Sequence, residues 1–286
     1  MEQDFALIDQ EAEQLVKSIG IPPCPAILTS LVREMRSDDP DFGRIARLIS
    51  GDVGLAAAML KTVNSPFYGL PTKATSVQQA LVLLGLRTVT HLVTGLLLRQ
   101  AFPVADGKFM ERFWDMSSNV ASVAAQITRQ IKSINRDEAY TFGLFRDCGM
   151  PPLMIKFAGY ARALDARVAH SERSISELEE EYCGIDHAQI GQYLAKSWHL
   201  SEQVYLAILW HHDPSALARN HPELPAPSLR LIALGMIAEH VLRTYRDEPA
   251  SHEWQKNGAL ALDCLGLSQA DLAELSEEAQ QVLARN

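Results

Sequence analysis

Residues 143–149 read Gly143-Leu144-Phe145-Arg146-Asp147-Cys148-Gly149. Leu144 and Phe145 continue the apolar pattern of a helix. Gly149 suits the C′ position at which helices stop, so a helix is predicted to end at Asp147-Cys148. What sets the stretch apart is a guanidinium beside a carboxylate. Arginine carries five N–H donors, has no acceptor and stays charged at any working pH. Arg146 can therefore pair with Asp147, but it cannot ligate a cation and should repel one.

On either side of this stretch helical periodicity dominates and no alternating strand pattern occurs, which predicts an all-α chain. Phe5, Leu7, Ile8, Leu15, Val16 and Ile19 space a first amphipathic helix, stopped by Gly20. Pro22, Pro23 and Pro25 form a rigid approach that cannot be helix interior. After Asp38-Asp39-Pro40 a helix carries Phe42, Ile45 and Ile49 on one face. Another runs from Asp52 to Val63 and ends at Asn64-Ser65-Pro66, because Pro66 excludes Ser65 from the α region. Ser76 can cap a helix through Leu84, and Gly85 divides it from the next, Leu86 to Phe102.

A long helix is predicted around Phe109 to Ile131, and Ser174-Ile175-Ser176-Glu177 fits a capping box. Helices near Ala188–Trp198, Glu202–His211 and Leu229–Leu242 follow, then a polar linker over Tyr245–Lys256 and one or two short helices from Ala259 to Leu283.

The chain has 286 residues, 26 basic against 35 acidic side chains and a net charge of −9. A nonspecific nucleic-acid binder needs surplus Lys and Arg, so the charge balance argues against that class while leaving room for a local basic patch. Cys24, Cys148, Cys183 and Cys264 form no CxxC pair, and buried free thiols in a reducing compartment are expected. The window Leu81 to Leu98 is interrupted by Arg87 and His91 and reads as a buried helix rather than a membrane span. The opening Met1-Glu2-Gln3-Asp4 is acidic where a secretory leader is basic. The expectation is a cytoplasmic protein with no membrane partner.

Several further segments, taken in order, resemble the HDOD domain family, non-catalytic relatives of the HD-superfamily metal-dependent phosphohydrolases. Ile21-Pro22-Pro23-Cys24-Pro25 resembles the family's proline-rich opening. Ile49-Ser50-Gly51-Asp52-Val53-Gly54-Leu55 resembles its Ile-x-x-Asp-Pro-x-Leu segment, with Val53 where proline is usual. Asn64-Ser65-Pro66-Phe67-Tyr68-Gly69, Ala80-Leu81-Val82-Leu83-Leu84-Gly85 and Trp114-Asp115-Met116-Ser117 follow. The 143–149 stretch resembles the Gly-Leu-Leu-His-Asp-Ile-Gly signature, with Arg146 in the histidine position. Asp186-His187-Ala188-Gln189-Ile190-Gly191, Trp198 and His211-His212-Asp213-Pro214 complete the series.

The resemblance implies a two-lobed helical fold. It divides the chain into an N-terminal helix over 1–20, an HDOD domain over 21–214 with a lobe boundary near 105, and a helical extension over 215–286 packed on the HD-like lobe. Carried over residue by residue, the metal ligands of hydrolytic relatives fall at Met116, Arg146, Asp147, His187, His211, His212 and Glu239. A thioether is unsuited to hard cations, so Met116 and Arg146 mark a vestigial site with no catalytic residue. Asp147, His187, His211 and His212 remain as metal ligands. No cofactor is expected beyond a weakly or partially held divalent metal.

Simpler readings stand beside these. His211 and His212 close a helix, where the macrodipole alone favours histidine. His187 starts one. Arg146 reads equally as a surface arginine at a helix end, or as a cation standing where a metal would be. Asn64-Ser65 reads as a turn pair or as a binding element. Phe109, Phe113 and Trp114 read as core, and His91 as a hydrogen-bonded core histidine.

The resemblance implies a bacterial signal-transduction module, a stand-alone adaptor that binds a protein partner or small ligand. The alternatives are a residual metal-dependent phosphohydrolase or phosphodiesterase, and a sensor that binds a nucleotide or other anion through Arg146.

Overall fold

A computed structural model describes residues 18–102, 107–163, 173–213, 216–217 and 224–283. Among them the chain is all-α and contains no strand. The helix predicted from Phe5 to Ile19 falls, but for its last residues, outside the described residues.

The first helices start where side-chain caps permit. Pro25 leads into α1 (Ala26–Met35). Asp41 caps α2 (Phe42–Ser50) by accepting from Arg44 N, and Asp52 caps α3 (Val53–Val63) by accepting from Leu55 N. Such caps satisfy backbone donors that a helix start leaves unpaired. Asn64 then does more than end a helix. Its amide donates to Ala74 O at 2.9 Å and accepts from Ala74 N at 2.7 Å, closing the loop 65–73 as a backbone pair would. It acts as a structural clamp.

Ser76 caps α4 (Val77–Ala101), which is kinked at Gly85 with φ 79° and ψ 162°. A side chain at that φ is strained, which is why a glycine stands there. Helix α4 is the one described helix long and apolar enough to cross a membrane. Its Val89, Leu92, Val93 and Leu98 are instead buried in the core.

Helix α4 packs on α1, α2 and α3 and also on α6 (Arg136–Phe145). The seam with α6 is polar at its edge: Thr88 donates to Asp137 at 3.1 Å, and His91 Nδ1 meets Thr141 Oγ1 at 2.7 Å. His91 is thus hydrogen-bonded as expected, though half-buried at the helix seam rather than in the core. Phe113 and Trp114, on α5 (Gly107–Ile127), are buried core.

The stretch 143–149 lies at the centre of the packing. A Cβ on Gly143 would stand 2.7 Å from Ala121 Cα of α5, so α5 and α6 touch backbone to backbone there. One on Gly95 would stand 2.3 Å from Leu144, and one on Gly235 2.6 Å from Phe142. Three close approaches hold the end of α6 between α4, α5 and α11 (Ala226–Tyr245).

Helices α7 (Met150–Lys156) and α8 (Ile175–Cys183) pack on α9 (His187–Ser197), α9 packs on α10 (Glu202–Trp210), and α10 packs on α11. The Ser174–Glu177 capping box forms as expected. The polar segment 245–256 is not a linker throughout. Ser251 caps α12 (His252–Leu265) by accepting from Trp254 N, so a polar composition conceals a helix start. The last helix is α13 (Gln269–Leu283), which packs on α11 and α5.

Asn64→Ala would leave the N–H and C=O of buried Ala74 unpaired. The expected loss is about 2 kcal/mol of unfolding free energy, read as a lower urea midpoint with an unchanged slope.

Candidate functional site

Five helices bring the polar residues together. Arg146 caps the C-terminus of α6 and Asp147 follows it; His187 opens α9; His211 and His212 follow α10; Glu239 lies on α11 and Glu253 on α12. Gly149 does not hold the left-handed C′ conformation expected of it: its φ is −79° and it leads into α7. Its lack of a side chain serves contact instead. A Cβ there would stand 2.0 Å from His187 O, so the turn after Asp147 rests directly on the start of α9.

Arg146 is no surface residue. Its side chain is 9% exposed and is held on three sides. Nε donates to Asp147 Oδ2 at 3.1 Å, Nη2 to Glu239 Oε2 at 2.5 Å and Nη1 to Gly235 O at 3.3 Å. Burial opposes its charge, but Asp147 and Glu239 outweigh that and raise its pKa. Burial likewise opposes ionisation of Asp147, yet Arg146, His187 and His211 hold its carboxyl well below the usual carboxylate range.

The three histidines are oriented by one rule. His187 Nδ1 donates to Glu179 Oε2 at 2.6 Å, His211 Nδ1 to Ile208 O at 2.7 Å and His212 Nδ1 to Glu253 Oε1 at 2.6 Å. Each of these oxygens is a pure acceptor when the carboxylates are ionised, so each Nδ1 carries the hydrogen. All three rings are thereby turned with Nε2 away from these acceptors, left to take either a proton or a metal ion. His211 still uses a helix-end carbonyl, so the simple capping explanation holds for its Nδ1 while its Nε2 turns elsewhere.

The Nε2 atoms converge on Asp147. His211 Nε2 lies 3.2 Å and His187 Nε2 3.6 Å from Asp147 Oδ1, and the two nitrogens are 3.4 Å apart. Ligands about 2.1 Å from a tetrahedral ion stand roughly 3.4 Å from one another, which these three edges match. His212 supplies the fourth ligand atom, all four lying within 4.8 Å of one another. Its Nε2 is buried and without a hydrogen-bond partner, as a ligand nitrogen awaiting a cation would be. The donor set of three imidazoles and a carboxylate fits one divalent ion. A second ion does not fit the same way, because Arg146 spans Asp147 Oδ2 and Glu239.

Protonation follows the same geometry. Burial alone would discharge His187, but Glu179 and Asp147 lift it to about 10, whereas burial and His212 push His211 down to about 3. The site thus favours a positive charge between Asp147 and His187, and a proton and a metal ion are alternative ways to supply it.

Of the residues carried over by resemblance, Arg146, Asp147, His187, His211, His212 and Glu239 come together. Met116 lines the same cleft of about 1480 Å³ but stands outside the His/Asp cluster, its Sδ 3.6 Å from Arg246 Nη1. Sequence reasoning missed Glu179, Tyr160 and Glu253. Glu179 is fully buried and accepts from His187 N at 2.8 Å as well as from its ring, and the Tyr160 hydroxyl donates to its other oxygen. No local signal distinguishes Glu179 from Glu177, Glu180 and Glu181 around it.

An HDOD domain family model matches residues 21–214. An uncharacterized protein of Treponema pallidum (strain Nichols) is 25% identical over 252 residues, 82% of this chain and 46% of that protein, so the chain spans under half the length of this curated relative. A solved protein of Shewanella amazonensis SB2B, named as a phosphohydrolase, aligns with a TM-score of 0.71 at 22% identity over 95% of this chain and 94% of its own. A solved protein of Marinobacter aquaeolei VT8, named as a signal transduction protein, aligns with a TM-score of 0.68 at 21% identity over 98% of this chain and 65% of its own. These likenesses establish the fold.

Arg146→Ala would strand two carboxylates against each other. The expected loss is about 3 kcal/mol of unfolding free energy, measured by urea denaturation. A loss under about 1 kcal/mol, the range of an exposed pair, would contradict this account of the site.

Proposed function

The chain belongs to the HDOD domain family, and on that premise we propose that it is a bacterial, cytoplasmic signal-transduction module, acting by binding a protein partner or small ligand rather than by hydrolysing phosphoesters. One observation carries this reading: the guanidinium of Arg146 joins Asp147 to Glu239. Two-metal hydrolysis needs a pair of ions to clamp the attacking and leaving oxygens. Here a fixed organic cation already neutralises the carboxylates that a second ion would require. The name of the Marinobacter protein agrees with a signalling role.

Asp147, His187, His211 and His212 would hold one cation, which when bound would supply charge and Lewis acidity at the floor of the cleft. Glu179, Ile208 and Glu253 hold the rings in place for it. Arg146, by contrast, is a poor anchor for an incoming phosphate. Three of its N–H groups are committed and its charge is shared by two carboxylates. That weakens the nucleotide-sensor reading. The convergence of three imidazoles and a carboxylate, with three of their edges at tetrahedral spacing, favours, as a second reading, a one-ion phosphohydrolase.

The two readings part on activity. Purified protein assayed with bis(p-nitrophenyl) phosphate and Mn²⁺ is expected to show no turnover above a protein-free control, and elemental analysis no more than one divalent ion per chain. Turnover abolished by Asp147→Ala would overturn the regulatory reading in favour of the one-ion enzyme. Two tightly held ions per chain would overturn both.

A further inference from the structure

The run Glu177–Glu181 on α8 holds four carboxylates, and one of them behaves unlike the rest. Glu177, Glu180 and Glu181 are exposed, while Glu179 is 0% exposed. Removing a carboxylate from water costs several kcal/mol unless its oxygens are paired. Glu179 is paired by Tyr160 on Oε1 and by the ring and backbone N–H groups of His187 on Oε2. A small apolar group surrounds this arrangement, with Ile19, Leu153, Cys183, Ile185 and Ile190 buried beside Tyr160. The two side chains form a rigid buried bracket behind one ligand ring.

We infer that Glu179, braced by Tyr160, is the positioning residue that commits His187 to present Nε2, and so gives the site its preference for a nitrogen-seeking tetrahedral ion such as Zn²⁺ or Co²⁺ over Mg²⁺ or Ca²⁺. This rests on the reading of a single cation position made above. A neutral imidazole has two tautomers, and only the one with hydrogen on Nδ1 leaves Nε2 free to bind. Glu179 is a double acceptor at Nδ1 and at the backbone of the same residue, so it selects that tautomer and also fixes the ring's rotation. The carboxylate further raises the basicity of the opposite nitrogen. With His187 so placed, the edges to Asp147 and His211 are 3.6 and 3.4 Å. These match one face of a tetrahedral shell, and three of the four donors are imidazole nitrogens, whereas Mg²⁺ and Ca²⁺ take oxygen ligands.

His211 and His212 take the same tautomer from Ile208 O and Glu253. Their acceptors differ from Glu179 in one respect. Ile208 O is a neutral carbonyl, and the Glu253 side chain is 29% exposed. Glu179 is the fully buried anion of the three, so its influence on the opposite nitrogen is the least screened by water.

Co²⁺ titration followed by visible absorption tests this, because a tetrahedral nitrogen-rich site gives Co²⁺ strong d–d bands. The wild-type chain, stripped with chelator, is expected to bind one Co²⁺ with tetrahedral bands that excess Mg²⁺ leaves in place. Glu179→Gln, which keeps shape and loses charge, is expected to weaken Co²⁺ binding 10- to 100-fold and to alter the bands. Tyr160→Phe is expected to weaken binding in the same direction by a smaller factor, and Glu180→Gln to change nothing. Should Glu179→Gln fail to fold, Tyr160→Phe decides: unaltered affinity and bands overturn the assignment. Equal affinity and identical bands in folded Glu179→Gln also overturn it. Absence of Co²⁺ binding by the wild type would overturn the single-cation reading itself. Displacement of Co²⁺ by Mg²⁺, with the Glu179→Gln effect intact, would overturn only the selectivity.

Discussion

Two carboxylates share one guanidinium at the centre of this protein, and most of its architecture can be understood as serving that contact. Arg146 ends α6, where helices α4, α5 and α11 converge through glycines that permit close approach. Glu239 reaches it from α11, and Gly235 on the same helix offers a carbonyl. An isolated buried charge of either sign would be intolerable. The contact also decides how many cations the site can hold. Arg146 leaves one oxygen of Asp147 to face the histidines and closes the other to metal.

The family match ends at residue 214, yet the site does not. Glu239 and Glu253 both lie beyond it, on α11 and α12, and each holds a residue of the matched region: Glu239 holds Arg146 and Glu253 holds His212. The C-terminal helices are therefore part of the site's chemistry, not an appendage to it. Helix α11 is also the element against which α5, α6 and α10 pack. A cation at His212 would be linked through one hydrogen bond to the start of α12.

Much of the fold was legible because local chemistry dictated it. Asp41, Asp52, Ser76 and Ser174 announced helix starts by being short acceptors ahead of apolar periodicity, and each caps as expected. Gly85 marked a break that the structure realises as a positive φ. The site was legible only where the resemblance supplied residues. Glu179 was hidden because a run of glutamates does not reveal which one faces inward. Glu253 was hidden because a polar segment was read as a linker. Gly149 was placed at the right boundary for the wrong cause, since close contact with His187 depends on a helix 38 residues further along the chain and leaves no local trace. The environment of Arg146 was open for the same reason: its partner Glu239 stands 93 residues away.

The central claim is that Arg146 stands in for an ion. Anomalous X-ray diffraction from crystals equilibrated with Zn²⁺ or Mn²⁺ tests it most directly. The account predicts at most one anomalous peak, bounded by Asp147, His187, His211 and His212, with Arg146 still joining Asp147 to Glu239. Two peaks, one of them between Asp147 and Glu239 with the guanidinium displaced, would contradict it.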